Sequence, residues 1–409
     1  MSFRKQFQQY SPQFWLLFGG FFINRSGASL VWPFLTVFMR HQLNAPLATI
    51  TLLLSVQAAA GLIATSVVGM LMDRFGRKRI MVLSLIASSF VLLAMSGANT
   101  LPQWTILIAV YGAINPVFNV GGNAMVADLV LPEQRAGAYA LVRMIANLGI
   151  AFGPVIGGML IGISYELTYY ITALVNVILA LLIFLFIAES MPSRGAQAKA
   201  ERFGGYGAVL RDRAFMAFAL GYLLVEMTAT LMFGLLPVYV KENFGILENQ
   251  SGLIISVNAT MVVLFQYFVT RVTKRHEPLA VLAVGGLFYA VGLGSVALDS
   301  SMAAFAASMV IMTTGELILS PTALTLVARI APPDMRARYM SLYSIAYTVA
   351  GGIAPPIAGF LSDHTTPRAI WYTGLCMGLV GALAFAMMSR ARMMELEEKL
   401  KTDLSTVTP

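Results

Sequence analysis

Charge is scarce in this chain. Only 11% of its 409 residues are Asp, Glu, Lys or Arg, against about a quarter in a soluble domain. Long polar stretches are scarce too, and only residues 189–213 form one inside the chain. The single cysteine, Cys376, excludes an internal disulfide, and three scattered histidines exclude an ordinary His/Cys metal cluster. No G-x-x-x-x-G-K-[ST] loop is present, so ATP is not expected to drive the protein directly. No nucleophile–base constellation suggests an enzyme. The net charge of +8 is spread over short loops and forms no single basic face, which speaks against nucleic acid. Residues 1–12 lack the layout of a cleaved signal peptide, so the first apolar run is expected to be a retained helix.

What remains is apolar. Hydrophobic residues make up 58% of the chain, enough for many bilayer spans of about 20 residues each. Twelve are expected, at roughly residues 12–39, 46–72, 80–98, 101–131, 136–163, 167–188, 214–240, 251–269, 279–298, 302–330, 340–361 and 369–388. This predicts an all-α membrane protein. Lys and Arg gather on one side of these spans, at Arg4, Lys5, 74–79, Arg135, 189–213, 271–275, 329–338 and the tail. The other side has Arg40, Lys241 and Arg368. That asymmetry predicts cytoplasmic termini, as an even number of spans requires.

The second half of the chain repeats the first. A shift of 201 carries Pro132, Glu133, Arg135 and Ala136 onto Pro333, Asp334, Arg336 and Ala337. The same shift carries Leu141 onto Leu342, Pro154 onto Pro355 and Gly158 onto Gly359. Six spans per copy is even, so the copies run parallel, with a substrate expected near the midplane between them. The expected organisation is a six-helix bundle over 1–190, a cytoplasmic linker over 191–213, a second bundle over 214–390 and a tail over 391–409.

Ionisable residues inside spans are costly and functional by default. Glu226 falls mid-span 7, Glu316 mid-span 10, Arg25 mid-span 1 and Arg143 within span 5, while Asp128 closes span 4. Desolvation penalises the charged form of a carboxyl, which lets Glu226 and Glu316 take a proton on one side and release it later. The alternative is a pair of structural acids neutralised by Arg25 or Arg143. Asn115, Asn119 and Asn123 recur every four residues and share one helix face. Asn24, Arg25, Asn115, Asn119, Arg143, Glu226 and Glu316 are therefore the expected cavity residues. Gly121, Gly122, Gly149, Gly153, Gly157 and Gly158 predict close helix approach. The 24 methionines suit adaptable contacts or simple lipid-facing filler.

One short stretch organises the rest. Residues 69–79 read GMLMDRFGRKR between two apolar runs, and this charged loop is expected at the water boundary, with Gly76 making a tight reversal. The pattern resembles the signature between helices 2 and 3 of the major facilitator superfamily. Its echo at 271–277 lacks the Asp. The resemblance implies a latch built from Gly69, Asp73, Arg74, Gly76 and Arg77, with Asp73, Arg77 and Asp128 in a charge relay. It also implies that Asp73 faces the start of helix 11, whose exposed amides favour negative charge.

Narrower likenesses follow. GNAMVADLVLPEQR (122–135) and TTGELILSPTALTL (313–326) resemble helices 4 and 10 of proton-driven multidrug antiporters of the LmrP type. Gly153-Pro154 and Gly157-Gly158 resemble a glycine–proline stretch on helix 5 of such antiporters. The likeness carries Asp128 and Glu316 over as proton sites, and Glu226 matches an acid on helix 7. Helix 5 of that type carries an acid where this chain reads Leu141-Val142-Arg143, a departure that weakens a strict preference for cations. The resemblance implies proton-coupled efflux of amphipathic, drug-like molecules by a monomer in the cell membrane. Its partners would be a lipophilic small molecule, protons and membrane lipids, with no cofactor beyond the proton gradient. Export of a specific metabolite, sugar or lipid is the alternative. A membrane sensor would need a signalling domain that the sequence does not show.

Overall fold

The computed structural model describes residues 10–190, 206–332 and 335–407, and these are almost wholly helical. Helix α1 runs Pro12–Val31, breaks through a single 3-10 turn at Trp32–Phe34 and resumes as Leu35–Leu43. The others are α2 (Leu47–Phe75), α3 (Arg77–Ser96), α4 (Leu101–Leu129), α5 (Arg135–Ile161) and α6 (Tyr165–Phe186). The second half supplies α7 (Arg213–Phe244), α8 (Glu248–Thr273), α9 (Pro278–Ser295), α10 (Met302–Ile330), α11 (Arg336–His364) and α12 (Ala369–Val407). Among the described residues, eleven helices are long and apolar enough to cross a membrane. Helix α1 completes the bundle, but Asn24, Arg25 and Ser26 dilute its apolar run and Pro33 interrupts it.

One expectation needs correction and two gain detail. Residues 69–79 are not a loop: Gly69–Phe75 continue α2, Arg77 opens α3, and only Gly76 stands between them. Gly76 reverses the chain alone, at φ +95°, a conformation open to glycine and strained for other residues. The linker expected over 191–213 is partly ordered. Residues 191–205 lie outside the described residues, but a short helix at Tyr206–Arg211 buries Val209 against α7 and α11. Asp212 then caps α7 by accepting from the backbone N–H of Phe215, and it also accepts from the Tyr339 hydroxyl at 2.7 Å. Of the residues matched at the 201 offset, Pro333 and Asp334 fall outside the described residues. Last, the tail, expected to be a short helical end, is helical and continues α12 to Val407 without a break.

Packing follows the repeat. In the first half α1 packs on α5 and α6, α2 on α4, and α3 on α4 and α6. In the second half the same pairs recur with every index raised by six: α7 on α11 and α12, α8 on α10, α9 on α10 and α12. The main contacts between halves, α2 with α11 and α5 with α8, exchange into each other under that shift. This is the arrangement of parallel repeats about an axis along the membrane normal. Small residues permit it. A methyl group at Gly158 would strike the backbone of Glu248 and Asn249, and one at Gly252 would strike Pro154. The outer surface carries exposed apolar side chains such as Leu83, Phe90, Phe184 and Leu383, a coat suited to lipid.

The halves are joined at one end. Gly76 and the Arg77–Asp128 ion pair mark what we call the motif end. At the far end the Arg40 Nε donates to Glu242 at 2.8 Å, and Asp363 accepts from the backbone N–H groups of Leu47 (3.2 Å) and Ala48 (2.7 Å). Lys241 Nζ reaches both Glu248 and the Tyr165 hydroxyl at 2.5 Å, and that hydroxyl also donates to Glu248. Thr36 donates to Gly234 O and Ser55 to Gly352 O. Val37 and Leu47 of the first half enter the core of the second. Among the described residues, no hydrogen bond or ion pair joins the halves at the motif end.

Candidate functional site

A cavity of about 200 Å³ lies between the halves. The first half lines it with Ser29, Trp32 and Pro33 of α1 and Arg143, Asn147, Ile150 and Pro154 of α5. The second half contributes Phe233 of α7, Asn258, Val262 and Gln266 of α8, Glu316 and Ser320 of α10 and Tyr347 of α11. Most of the wall is apolar, and the charges are two. Arg143 and Glu316 come from opposite halves and have opposite sign.

Each of these groups is held by its helix. Glu316 stands at the middle of α10, and its Oε2 accepts from the Asn258 amide at 2.6 Å. The same amide nitrogen reaches the Thr313 hydroxyl at 3.0 Å, so α8 fixes one oxygen of the carboxylate. Arg143 is exposed and has no ion pair among the described residues. It lies near enough to Glu316 to act on its charge, but not within salt-bridge distance.

The expected site residues therefore divide. Arg143 and Glu316 share the cavity. Glu226 is 6% exposed and sits beside it, within electrostatic reach of Glu316. A tyrosine cluster surrounds the two acids: the Tyr222 hydroxyl donates to Tyr343 at 3.1 Å, and Tyr289 and Tyr347 feel both carboxyls. Arg25 stands next to Tyr347, and its Nε is buried without a hydrogen-bond partner. Asn24, Asn115 and Asn119 do not line the cavity in this state. Asn115 instead pairs with Tyr111, and the carbonyl of Asn123 accepts from Tyr139. The glycines expected at close contacts are there: Gly149, Gly153 and Gly157 meet α1, and Gly121 and Gly122 meet Met81 and Phe21.

At the motif end the relay forms in part. Arg77 pairs with Asp128 and donates to Ala124 O at 2.8 Å. Glu189 accepts from the backbone N–H of Lys78, which ties the end of the first half to this corner. Asp73 is exposed and makes no such bond among the described residues. Among the described residues, no bond from Asp73 to the start of α11 is present.

Sequence reasoning missed Asn147, Asn258, Gln266 and Ser320. The signal was present as spacing. Asn147 and Ser320 each follow a charged residue by four, and Gln266 follows Asn258 by eight, so each pair shares a face.

Known proteins resemble this chain over most of its length. The sequence model of the Major Facilitator Superfamily matches residues 17–240 and 218–405. A "Na(+), Li(+), K(+)/H(+) antiporter" of Planococcus maritimus is 26% identical over 83% of this chain and 87% of its own. The "Multidrug resistance protein MdtH" of Aeromonas salmonicida is 24% identical over 76% of this chain and 78% of its own. The crystal structure of a D323A mutant of the nucleoside transporter NupG superposes with a TM-score of 0.79 at 14% identity. That match covers 92% of this chain and 99% of the other.

Proposed function

The chain belongs to the Major Facilitator Superfamily, and from that premise we propose that this multi-pass membrane transporter is a proton-coupled antiporter exporting amphipathic, drug-like compounds. The observation that carries this reading is Glu316, a carboxyl at mid-helix in a largely apolar cavity between two halves. A carboxyl there can hold a proton when the cavity is dry and exchange it for a cationic group. The relatives include a cation/H⁺ antiporter and a multidrug resistance protein, which supports antiport and a broad substrate range. With basic loops taken as cytoplasmic, the motif end faces the cytoplasm, and the state described is sealed toward the outside.

A second reading is exchange of a monovalent metal cation for protons. It is favoured by the Planococcus maritimus relative and by the Glu316 carboxylate in the cavity wall, an oxygen ligand that suits hard cations. Purified protein in liposomes separates the two readings. Under an imposed pH gradient, export of lipophilic dyes is expected, while proton flux driven by Na⁺ or K⁺ alone would favour the second. ATP-driven uptake into inside-out vesicles after the gradient is collapsed would overturn both.

The motif end supports a latch. Asp73 is exposed in this state, and we expect it to engage the α11 N-terminus only when the motif end closes. Asp73→Asn should therefore leave substrate affinity nearly unchanged and lower turnover. Equal loss of binding and turnover would place Asp73 in the substrate site instead.

A further inference from the structure

The cavity holds two opposite charges that the protein does not match to each other. Arg143 makes no ion pair among the described residues, and its α5 belongs to the first half. Glu316 has one oxygen occupied by Asn258 and, among the described residues, no donor on the other, and its α10 belongs to the second half. An ionisable group within a span is kept for a use, and an acid and a base on one cavity wall can each take a ligand group of opposite charge. Here the natural partner is a ligand, because both groups face the same space. Trp32 and Phe233 add aromatic surface to the same space, their rings packed with centroids 6.1 Å apart. At about 200 Å³ the space suits the compact members of the amphipathic class proposed above.

We infer that the cavity takes a compact amphoteric molecule, with its cationic group on Glu316, its anionic group on Arg143 and an apolar or aromatic body between. This rests on the transporter reading above and narrows its substrate. A monocationic compound would satisfy Glu316 and leave Arg143 unmatched, and an anion would do the reverse. A ligand with both charges also ties the two halves together through its own length. It would thereby connect the occupied site to the movement of one half against the other.

Three matched probes test this by direct binding to the purified protein. 4-(Aminomethyl)benzoate carries both charges across one ring, 4-methylbenzylamine only the cation, and 4-methylbenzoate only the anion. The amphoteric probe should bind about tenfold tighter or more than either relative, the size of one charge-assisted hydrogen-bonded contact. Arg143→Gln should erase its advantage over the amine and keep amine binding. Glu316→Gln should erase its advantage over the carboxylate and keep carboxylate binding. Each variant thus serves as the folding control for the other. Equal or tighter binding of a singly charged probe, or no binding of the amphoteric one, overturns the inference. Dye export under a pH gradient, measured on the same preparation, tells the two failures apart. Export without amphoteric preference sinks the inference alone, whereas no gradient-driven movement of any compound sinks the transport reading as well.

Discussion

Glu316→Gln is expected to abolish uphill transport while leaving downhill movement and exchange in place. Gln keeps the shape of the side chain and can still hydrogen-bond with Asn258, which now donates to the Glu316 carboxylate at 2.6 Å. What it loses is ionisation. Without a group that exchanges a proton for substrate, the two movements are no longer linked, and the substrate can only run down its own gradient. The measurement is accumulation in proteoliposomes with and without an imposed pH gradient. Wild type should respond to the gradient, and the variant should not. Proton release on substrate binding gives a second readout, which should vanish in the variant. Persistent pumping at unchanged stoichiometry would move coupling elsewhere, with Asp128 the next candidate.

Glu226 refines that experiment. It is more enclosed than Glu316 and does not line the cavity. It acts on the site through charge, since it lies within reach of Glu316 and of Tyr343 and Tyr347. Two carboxyls in one low-dielectric region resist ionising together, so the protons of the pair are shared. A role in setting when Glu316 ionises therefore suits Glu226 better than direct contact with a substrate. The double variant with Gln at both positions separates the roles by how much proton release remains beyond the single change.

The spans were legible because each is a long apolar run, and the mid-span acids because charge there is rare. Gly76 was legible as a reversal, but its economy was not: the helices continue to Phe75 and from Arg77, since charged residues extend a helix as readily as they form a loop. The break in α1 is visible only as Pro33, whose effect depends on what packs beside it. Asn115 and Asn119 show the limit of periodicity. Their spacing gave a shared face correctly, but nothing in it told which neighbour that face would meet. Contacts between halves were least legible. Tyr165 and Glu248 stand 83 residues apart, and no local pattern connects a helix start in one half to a helix start in the other.

Removal of the Glu248 carboxylate should release the far end. Glu248 is 5% exposed and accepts from both the Tyr165 hydroxyl and Lys241 Nζ, so it joins α6 of the first half to α7 and α8 of the second. In Glu248→Ala those two donors lose their shared acceptor. A donor left without a partner costs about 1–3 kcal/mol, and Lys241, which is partly exposed, recovers some of that from water. Lys241 and Glu248 lie in the same half and stay together on opening, so the part of the loss that falls on the closed arrangement alone is the Tyr165 bond, which opening breaks by separating α6 from α8. About 1.4 kcal/mol is a tenfold change in an equilibrium, so the population open at the far end should rise by roughly tenfold, with the Arg40–Glu242 and Asp363 contacts limiting the rise. Spin labels at the exposed positions Asn99 and Thr366, on a background with Cys376 replaced, report the separation of the halves directly. The variant should shift the distance distribution toward longer values, and Glu248→Gln, which keeps an acceptor oxygen, should shift it less. An unchanged distribution in Glu248→Ala would mean that the backbone contacts of Gly158 and Gly252 hold this end by packing, with the polar cluster contributing little.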